Sequence, residues 1–205
     1  MLLEYVGSAL GLLQAGEERL EQMKQLLWGE LKIAAGDTVA KNFLLKYLET
    51  FSAKYPAIKL QMVNRTTRQS IRMLKSGGVE IVVGNLPIED EDIQVIPCRS
   101  VQDIFVASQR YAQLRGHRIS RKELLEYPLI LLEPLANSRR YVDRCFLKDG
   151  FTIHPVIELG AYDLLLDFAR IHLGISCVIR EFSAQALAQG DLFEIQLEDP
   201  LPPRQ

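Results

Sequence analysis

Cysteine and histidine side chains are the residues of this sequence best suited to metal binding and nucleophilic chemistry, but their spacing argues against both. No Cys-x-x-Cys pair occurs, and no two histidines have the spacing that places metal ligands on one face of a helix. The cysteines lie far apart and mostly beside apolar residues, which favours small buried side chains in a reducing compartment. The residues concerned are Cys98, Cys145, Cys177, His117, His154 and His172. We therefore expect neither a metal site nor a cofactor.

The sequence also lacks the short motifs of common catalytic sites. It contains no Gly-x-Ser-x-Gly, no Walker loop and no dinucleotide-binding glycine fingerprint, so we expect a protein that is not an enzyme. A formal net charge of −2 over 205 residues argues against a dedicated nucleic-acid surface, because phosphate neutralisation needs clustered lysine and arginine. The N-terminus does not resemble a signal peptide, and no apolar run reaches the length of a membrane span, which predicts a cytoplasmic protein.

Residues 2–28 are predicted to form one long helix with an apolar seam. Apolar side chains recur every seven residues in two rows, which is the heptad pattern of a coiled coil. The first row is Val6, Leu13, Leu20 and Leu27, and the second is Leu2, Ala9, Gly16 and Met23. Glycines inside a lone helix destabilise it, so the helix needs a partner. We expect dimerisation with a second copy through Val6, Leu13, Leu20, Met23 and Leu27; the alternative is packing on the helix's own domain.

After this helix, strand and helix patterns alternate with short connections. The first half reads as strand, helix, strand, helix and strand, over Leu31–Ala35, Val39–Lys54, Ile58–Asn64, Arg68–Ser76 and Val79–Val83. Residues 36–38 are expected to form the loop into the first of these helices. Such an order with short connections is typical of a parallel sheet.

A second alternating run follows. Residues 93–108 are predicted to form two extended strands around Arg99-Ser100. Further strands are expected over Leu129–Leu132, Val156–Leu159, Ile175–Ile179 and Leu192–Leu197. Four helices are expected: a short one capped by Ser120, one that runs from a cap at Ser138 through Asp149, and two over Tyr162–Leu173 and Glu181–Gln189. The predicted domains are a linker helix over residues 1–29, a first lobe over 30–98, a second lobe over 99–199 and a tail over 200–205.

Several of these segments resemble the effector-binding domain of LysR-type transcriptional regulators. Residues 51–56 have the family's Phe-x-x-x-Tyr-Pro helix end, and residues 77–84 resemble its Gly-containing strand entry, with Glu80 in place of the usual aspartate. Residues 126–130, Glu-Tyr-Pro-Leu-Ile, and residues 190–193, Gly-Asp-Leu-Phe, resemble strand entries of the second half. Before Gly174-Ile-Ser, His172 stands where the family commonly has glycine. The resemblance covers nearly the whole chain, and the long helix matches the family's linker.

The resemblance implies a fold, a function and a set of partners. The fold is α/β, with two Rossmann-like lobes of periplasmic-binding-protein type II after the linker helix. The function is that of the effector-sensing and oligomerisation portion of a transcription regulator, which binds a small anionic metabolite between its lobes and forms a homodimer or tetramer. DNA binding is expected only through a winged helix-turn-helix that this sequence does not include, and the family usually continues with a strand and helix that return to the first lobe. The alternatives are a solute-binding protein of a transporter and a small-molecule enzyme on the same fold.

The resemblance places the effector where loops lead into helices. In the first lobe, free N–H groups at a helix start favour an anion near Asp37, Thr38 and Val39, although the Asp37 carboxylate is equally suited to cap the helix. The next candidates are the loop residues Asn64, Arg65, Thr66 and Thr67. Their polar groups either bind the ligand or belong to a solvated loop with an N-cap threonine. The candidates after the third strand are Gly84, Asn85 and Leu86.

The second lobe contributes residues at three further positions. Glu133 follows a strand, and Ser138 and Arg139 open the next helix. Arg139 is the candidate for pairing with an anionic effector, and the alternative is a solvated side chain in the first helical turn. Ala161 and Tyr162 open another helix, where Tyr162 either lines the cleft or closes the core.

Overall fold

The computed structural model describes residues 10–18, 28–88 and 90–205. Residues 10–18 form helix α1, which confirms the predicted long helix over that range. Leu10, Leu12 and Leu13 are all exposed on α1 in the single chain. The seam residues Val6, Leu20, Met23 and Leu27 lie outside the described residues, so dimerisation through the seam stays a prediction.

The first compact unit, Met1–Val83, contains among its described residues α1, a three-stranded parallel sheet and two further helices. Its elements are β1 (Gly29–Ala35), α2 (Asp37–Val39 continuing through a π-helical turn at Ala40–Leu44 into Leu45–Lys54), β2 (Ile58–Asn64), α3 (Thr67–Lys75) and β3 (Ile81–Val83). The strand order is β2-β1-β3, and both pairings are parallel, as the alternating pattern predicts. Ala35 is level with Asn64 and with Val83, so all three strands end at one edge of the sheet.

The structure corrects several boundaries in this unit: β1 begins at Gly29 and not at Leu31, and α3 spans Thr67–Lys75 and not Arg68–Ser76. Residues 37 and 38 are helical and not part of a loop, because Gly36 occupies the N-cap with extended backbone and Asp37 in the first turn suits the positive end of the helix dipole. The third strand begins at Ile81 and not at Val79; the Val79 side chain is nevertheless buried.

The second compact unit, Gly84–Gln205, contains a six-stranded mixed sheet. Its strands are β4 (Asp103–Ser108), β5 (Arg118–Ile119), β6 (Leu129–Leu132), β7 (Ile157–Leu159), β8 (Ile175–Ile179) and β9 (Leu192–Leu197). Its α-helices are α4 (Arg121–Leu124), α5 (Asn137–Lys148), α6 (Tyr162–Arg170) and α7 (Arg180–Ala188). The strand order is β5-β9-β4-β8-β6-β7; β4 runs antiparallel to both neighbours, and the other pairs are parallel.

Several sequence predictions are wrong in this unit. Residues 93–100 form no strand; beyond β4 the segment contributes one isolated bridge, between Val101 and Arg204. Helix α5 begins at Asn137 with Ala136 at its N-cap, so Ser138 lies inside the first turn and is not the cap. Helix α6 ends at Arg170 and not at Leu173. A 3₁₀ helix over Gln109–Leu114 and the short strand β5 were not predicted.

The core of the second unit lies on both faces of its sheet. One cluster of buried side chains centres on Phe105 and Phe146, and a second, on the other face, centres on Val106, Leu165 and Val178. All six residues of β4 are buried, as expected for a central strand covered on both faces. The division between the two units falls after Val83, whereas the domain limits suggested by the sequence, near Cys98, stay a prediction.

Candidate functional site

The turns after β1 and β2 bring two of the predicted site residues into contact in the first unit. Because the parallel strands end level at Ala35 and Asn64, the Asn64 amide reaches the first turn of α2 and donates a hydrogen bond to the Asp37 carboxylate. The Arg65 backbone N–H donates to the Ala35 carbonyl at 3.3 Å, which holds the two turns together. Asp37 therefore does not cap α2 from the N-cap position, since Gly36 occupies it.

The remaining predicted residues of the first unit have mainly local roles. Thr66 is the N-cap of α3: its hydroxyl accepts from the Gln69 N–H at 3.4 Å, and the Gln69 side chain accepts from the Thr66 N–H at 3.2 Å. This reciprocal capping box is the alternative that the sequence left open for that loop. The Arg65 guanidinium donates to the Asn64 carbonyl at 2.7 Å, and Val39 is buried. Thr38 and Thr67 lie in the first turns of α2 and α3.

In the second unit, the first turn of α5 contacts two segments that are distant in sequence. The Asn137 amide donates to the Asn85 carbonyl at 2.6 Å, and the Ser138 hydroxyl accepts from Arg204 at 2.9 Å. The Leu86 N–H donates to the Gln205 carbonyl at 2.5 Å. The structure therefore brings Asn85, Leu86 and Ser138 into one neighbourhood, together with the last residues of the chain.

Arg204 is a residue of this neighbourhood that the sequence analysis missed. Its side chain forms a buried ion pair with Asp103, in which Nε and Nη2 donate to the two carboxylate oxygens. Burial raises the pKa of Asp103 above its ordinary value, although Arg204 opposes this shift. No sequence motif could have revealed the pair, because its members lie 101 positions apart and neither belongs to a recognisable pattern.

Arg139 is buried and bonded within the second unit, so it is not the solvated side chain that the alternative supposed. Its guanidinium donates to Asp143 at 2.9 Å, to Glu158 at 2.7 Å and to the Leu132 carbonyl at 2.8 Å. Burial lowers the pKa of the Arg139 guanidinium, but the hydrogen bonds with Glu158 and Asp143 outweigh it and the net shift is upward. Its predicted contact with an effector stays a prediction.

The other predicted residues of this unit lie at the ends of β6 and β7. Glu133 follows β6, is exposed, and donates its backbone N–H to the Leu159 carbonyl at 2.9 Å. Ala161 is the exposed N-cap of α6. Tyr162 is buried, and its hydroxyl accepts from the Ile179 N–H at 2.7 Å and lies 3.0 Å from the Ser183 hydroxyl. Tyr162 belongs to a cluster of buried side chains, so in this structure it closes the core, and burial raises its pKa.

A hollow of about 300 Å³ lies in the second unit, lined by Asp103 and other residues of β4, by residues of β9 and by the first residue of α7. Arg118, Arg180 and Glu194 stand among its lining residues, and none of the predicted site residues does. Within the described ranges, no group of histidine, cysteine and carboxylate side chains could hold a metal ion. No helix in those ranges is long and apolar enough to cross a bilayer.

The chain is an α/β protein of two compact units, with polar residues gathered at strand ends and helix starts. Residues 24–205 match the family model described as the LysR substrate binding domain. The chain belongs to this family.

Relatives with similar sequences are regulators. The chain is 24% identical over 191 residues to the HTH-type transcriptional regulator CfxR of Cupriavidus necator, and 23% identical over 198 residues to a probable RuBisCO transcriptional regulator of Trichormus variabilis. These matches cover 93% and 94% of this chain but only 60% and 59% of the relatives. The chain thus spans about three fifths of their length.

Solved structures share the fold. The regulatory domain of CcmR from Synechocystis PCC6803, in complex with 2-PG, superposes with a TM-score of 0.76 at 20% identity, covering 86% of this chain and 84% of that one. The effector-binding domain of QuiR, in complex with shikimate, gives a TM-score of 0.74 at 14% identity with the same coverage. These domains have the periplasmic-binding-protein type II fold, which confirms the fold class expected from the sequence.

Proposed function

We propose that this chain is the effector-sensing portion of a LysR-type transcriptional regulator and that it binds a small anionic metabolite without converting it. The family match over residues 24–205 is the observation that carries the proposal. CfxR and the RuBisCO regulators support the regulatory role, and the small molecules bound to the CcmR and QuiR domains support an effector of similar size. In this proposal, DNA binding belongs to a part of the protein outside these residues.

The polar groups at helix starts in each unit suit an anionic effector. In the first unit, the first turn of α2 follows Gly36, which has no side chain to accept a hydrogen bond from the helix N–H groups. In the second unit, Ala136 likewise leaves the first turn of α5 without a side-chain cap. Uncapped helix N-termini bind anions through free N–H groups and the helix dipole. That a single effector contacts both units stays a prediction.

A thermal-shift screen tests the proposal directly. The probes are amino acids, small carboxylates, sulfur compounds and sugar phosphates, with 2-PG and shikimate included. A ligand at a hundredfold excess over its Kd adds about 2.7 kcal/mol to the free energy of unfolding, which raises the melting temperature measurably. Chromatography then measures whether the chain consumes the stabilising probe. Stabilisation without consumption supports a sensor, and turnover of the probe contradicts it.

A pair of threonine variants checks whether the β1–α2 turn takes part. Thr38→Val removes a hydroxyl from the first turn of α2, and Thr50→Val removes one from an exposed position later in the same helix, where it bonds only the Lys46 carbonyl. We expect Thr38→Val to weaken binding of the stabilising probe by about tenfold, since a lost hydrogen bond to a charged group costs about 1.5 kcal/mol or more. Thr50→Val is expected to leave the affinity unchanged, and equal losses in both variants would contradict a role for this turn.

We also propose that the chain dimerises through the seam of its N-terminal helix. Leu13, a seam residue, is exposed in the single chain, as is its neighbour Leu12. Leu13 occupies a core heptad position, while Leu12 falls at a flanking position where charged residues are common. Sedimentation of Leu13→Glu should therefore show monomer at micromolar concentration, whereas Leu12→Glu should remain dimeric. A monomeric unmodified chain would refute this proposal.

A further inference from the structure

Arg204 has one side-chain nitrogen that finds no acceptor among the described residues. The side chain is 3% exposed, and its Nε and Nη2 atoms donate to the carboxylate of Asp103. Nη2 also donates to the Ser138 hydroxyl at 2.9 Å. Nη1 is buried and has no hydrogen-bond partner in the described part of the chain. A buried donor without an acceptor is unfavourable, so its retention calls for an explanation.

The planar geometry of guanidinium shows where Nη1 points. Nε and Nη2 face Asp103 with parallel N–H bonds, as in a bidentate pair. The second N–H bond of Nη2 is therefore the one that points at Ser138. In a planar guanidinium this bond is parallel to one N–H bond of Nη1. Nη1 consequently directs an N–H towards the same side as the Ser138 hydroxyl, which belongs to the first turn of α5.

The first turn of α5 offers further donors at this place. The helix has twelve residues, and Ala136 at its N-cap provides no side-chain acceptor. Arg140 is the first residue whose N–H bonds back to the Ala136 carbonyl, at 3.1 Å. The N–H groups of the three preceding residues are the free donors of the helix N-terminus, where the dipole favours negative charge. An uncapped helix start and a buried unpartnered arginine donor thus converge on Ser138.

We propose that Arg204 is the charged contact of the effector site and that it binds a carboxylate oxygen of the effector between Nη1 and the first turn of α5. The inference rests on the proposed function, since it adds a residue and a ligand class to that site. Asp103 already balances the charge of Arg204, so the remaining attraction comes from the helix dipole, equivalent to roughly half a charge. A group with a single negative charge therefore fits better than a doubly charged phosphate.

Titrating the full chain with sodium acetate while recording amide NMR spectra tests this site. Acetate should shift the amide signals of Asn137, Ser138 and Arg139 in a saturable manner, whereas sodium chloride at equal ionic strength should not, and inorganic phosphate should bind more weakly. Arg204→Lys keeps a positive charge but loses the fork, and it should weaken acetate binding at least tenfold. Arg180→Lys is the matched control, because the Arg180 guanidinium bonds Glu194 in an exposed pair and none of its described side-chain bonds is to α5. Equal affinity in Arg204→Lys and Arg180→Lys would overturn the proposal.

A second variant keeps the test decisive if Arg204→Lys does not fold. Ser138→Ala leaves the Asp103–Arg204 pair intact and removes only the hydroxyl that accepts from Arg204 Nη2. It should keep the melting temperature within a few degrees and change the strength of acetate binding at the α5 amides; an unchanged acetate titration would contradict the site. Acetate shifts confined to the turn after β1 would refute the role of Arg204 while leaving the sensor function standing. The sensor function fails separately, if no metabolite stabilises the chain.

Discussion

The Asp103–Arg204 pair is the most deeply buried ion pair among the described residues. Both side chains are only 3% exposed, and burial raises the pKa of Asp103 in spite of the nearby guanidinium. Burying two charges carries a large desolvation cost, which close hydrogen bonding offsets in part. Such a pair contributes little net stability compared with apolar residues, but the loss of either member leaves an uncompensated buried charge.

Removing the Arg204 charge should therefore destabilise the chain strongly. Arg204→Met is expected to lower the free energy of unfolding by about 3–5 kcal/mol, because it leaves the Asp103 carboxylate buried without its partner. Arg180→Met breaks the exposed pair with Glu194 and should cost about 1 kcal/mol or less. Urea denaturation measures both values, and similar losses in the two variants would show that the Asp103 carboxylate finds another partner or water.

Tyr141 should titrate at unusually high pH. Burial, followed by its contact with Cys145, raises the pKa of Tyr141 from 10.0 to about 12. The folded chain keeps this proton at pH values where the unfolded chain has lost it. The free energy of unfolding therefore does not depend on this group below about pH 10, and it falls as the pH rises from 10 towards 12. The difference between the absorbance titrations of the unmodified chain and Tyr141→Phe should show one tyrosine ionising near 12, and a step near 10 would contradict this.

The two arginines show what sequence can and cannot reveal at the residue scale. Arg139 stands beside a predicted helix start, so the sequence marked it as a candidate, but its partners Asp143 and Glu158 depend on tertiary packing. Arg204 stands in a proline-containing tail with no local pattern, and only the fold brings it to Ser138. Charge pairing across a hundred residues leaves no trace in local spacing.

At the scale of elements, the first turn of α5 connects two segments at opposite ends of the second unit. Asn137 bonds the Asn85 carbonyl, and Tyr141, one turn later, donates to the Pro202 carbonyl at 2.7 Å. The backbones of Val101 and Arg204 exchange hydrogen bonds of 2.6 and 2.9 Å. A ligand at this turn would therefore act on both segments through direct contacts.

The turn between α6 and β8 depends on a glycine with no room for a side chain. A Cβ atom on Gly174 would lie 2.4 Å from the Pro128 carbonyl oxygen. Gly174→Ala should therefore lower the free energy of unfolding by about 1–3 kcal/mol, as overpacking does. Gly160→Ala is the control, since its Cβ would meet only Glu133 Oε2 at 4.0 Å. Calorimetric melting compares the two, and an equally stable Gly174→Ala would mean that the backbone at Pro128 yields easily.

Elements with strong local signals could be predicted from the sequence, and those that depend on neighbours could not. The limits of β2, β6, β8 and β9 match the prediction. The strands β6 and β8 are short, mostly apolar runs, and β2 and β9 alternate apolar with polar side chains over part of their length. Residues 93–100 have a similar composition, yet Ile96 is exposed and no adjacent strand pairs with them in the described structure. Helix α6 ends early because His172 has a φ of 68°, a conformation that glycine usually supplies.

At the scale of the whole molecule, the two units differ in the size of their described cores. The first unit has a cluster of only three buried residues, Ile33, Ala35 and Leu44, while the second has two large clusters. Local opening is easier where fewer apolar contacts are lost. Hydrogen exchange followed by mass spectrometry should show β1 and β2 exchanging faster than β4 and β8; slower exchange in β1 would contradict this.

The distance in sequence between Asp103 and Arg204 also has a consequence for synthesis. At about 5–20 residues per second, a ribosome adds Arg204 on the order of 5–20 s after Asp103. During that interval the central strand β4 contains a carboxylate whose permanent partner does not yet exist. The Asp103–Arg204 pair therefore cannot form until translation has passed residue 204. A nascent chain that ends before Arg204 is expected to be less stable by about 3–5 kcal/mol, for the same reason as Arg204→Met.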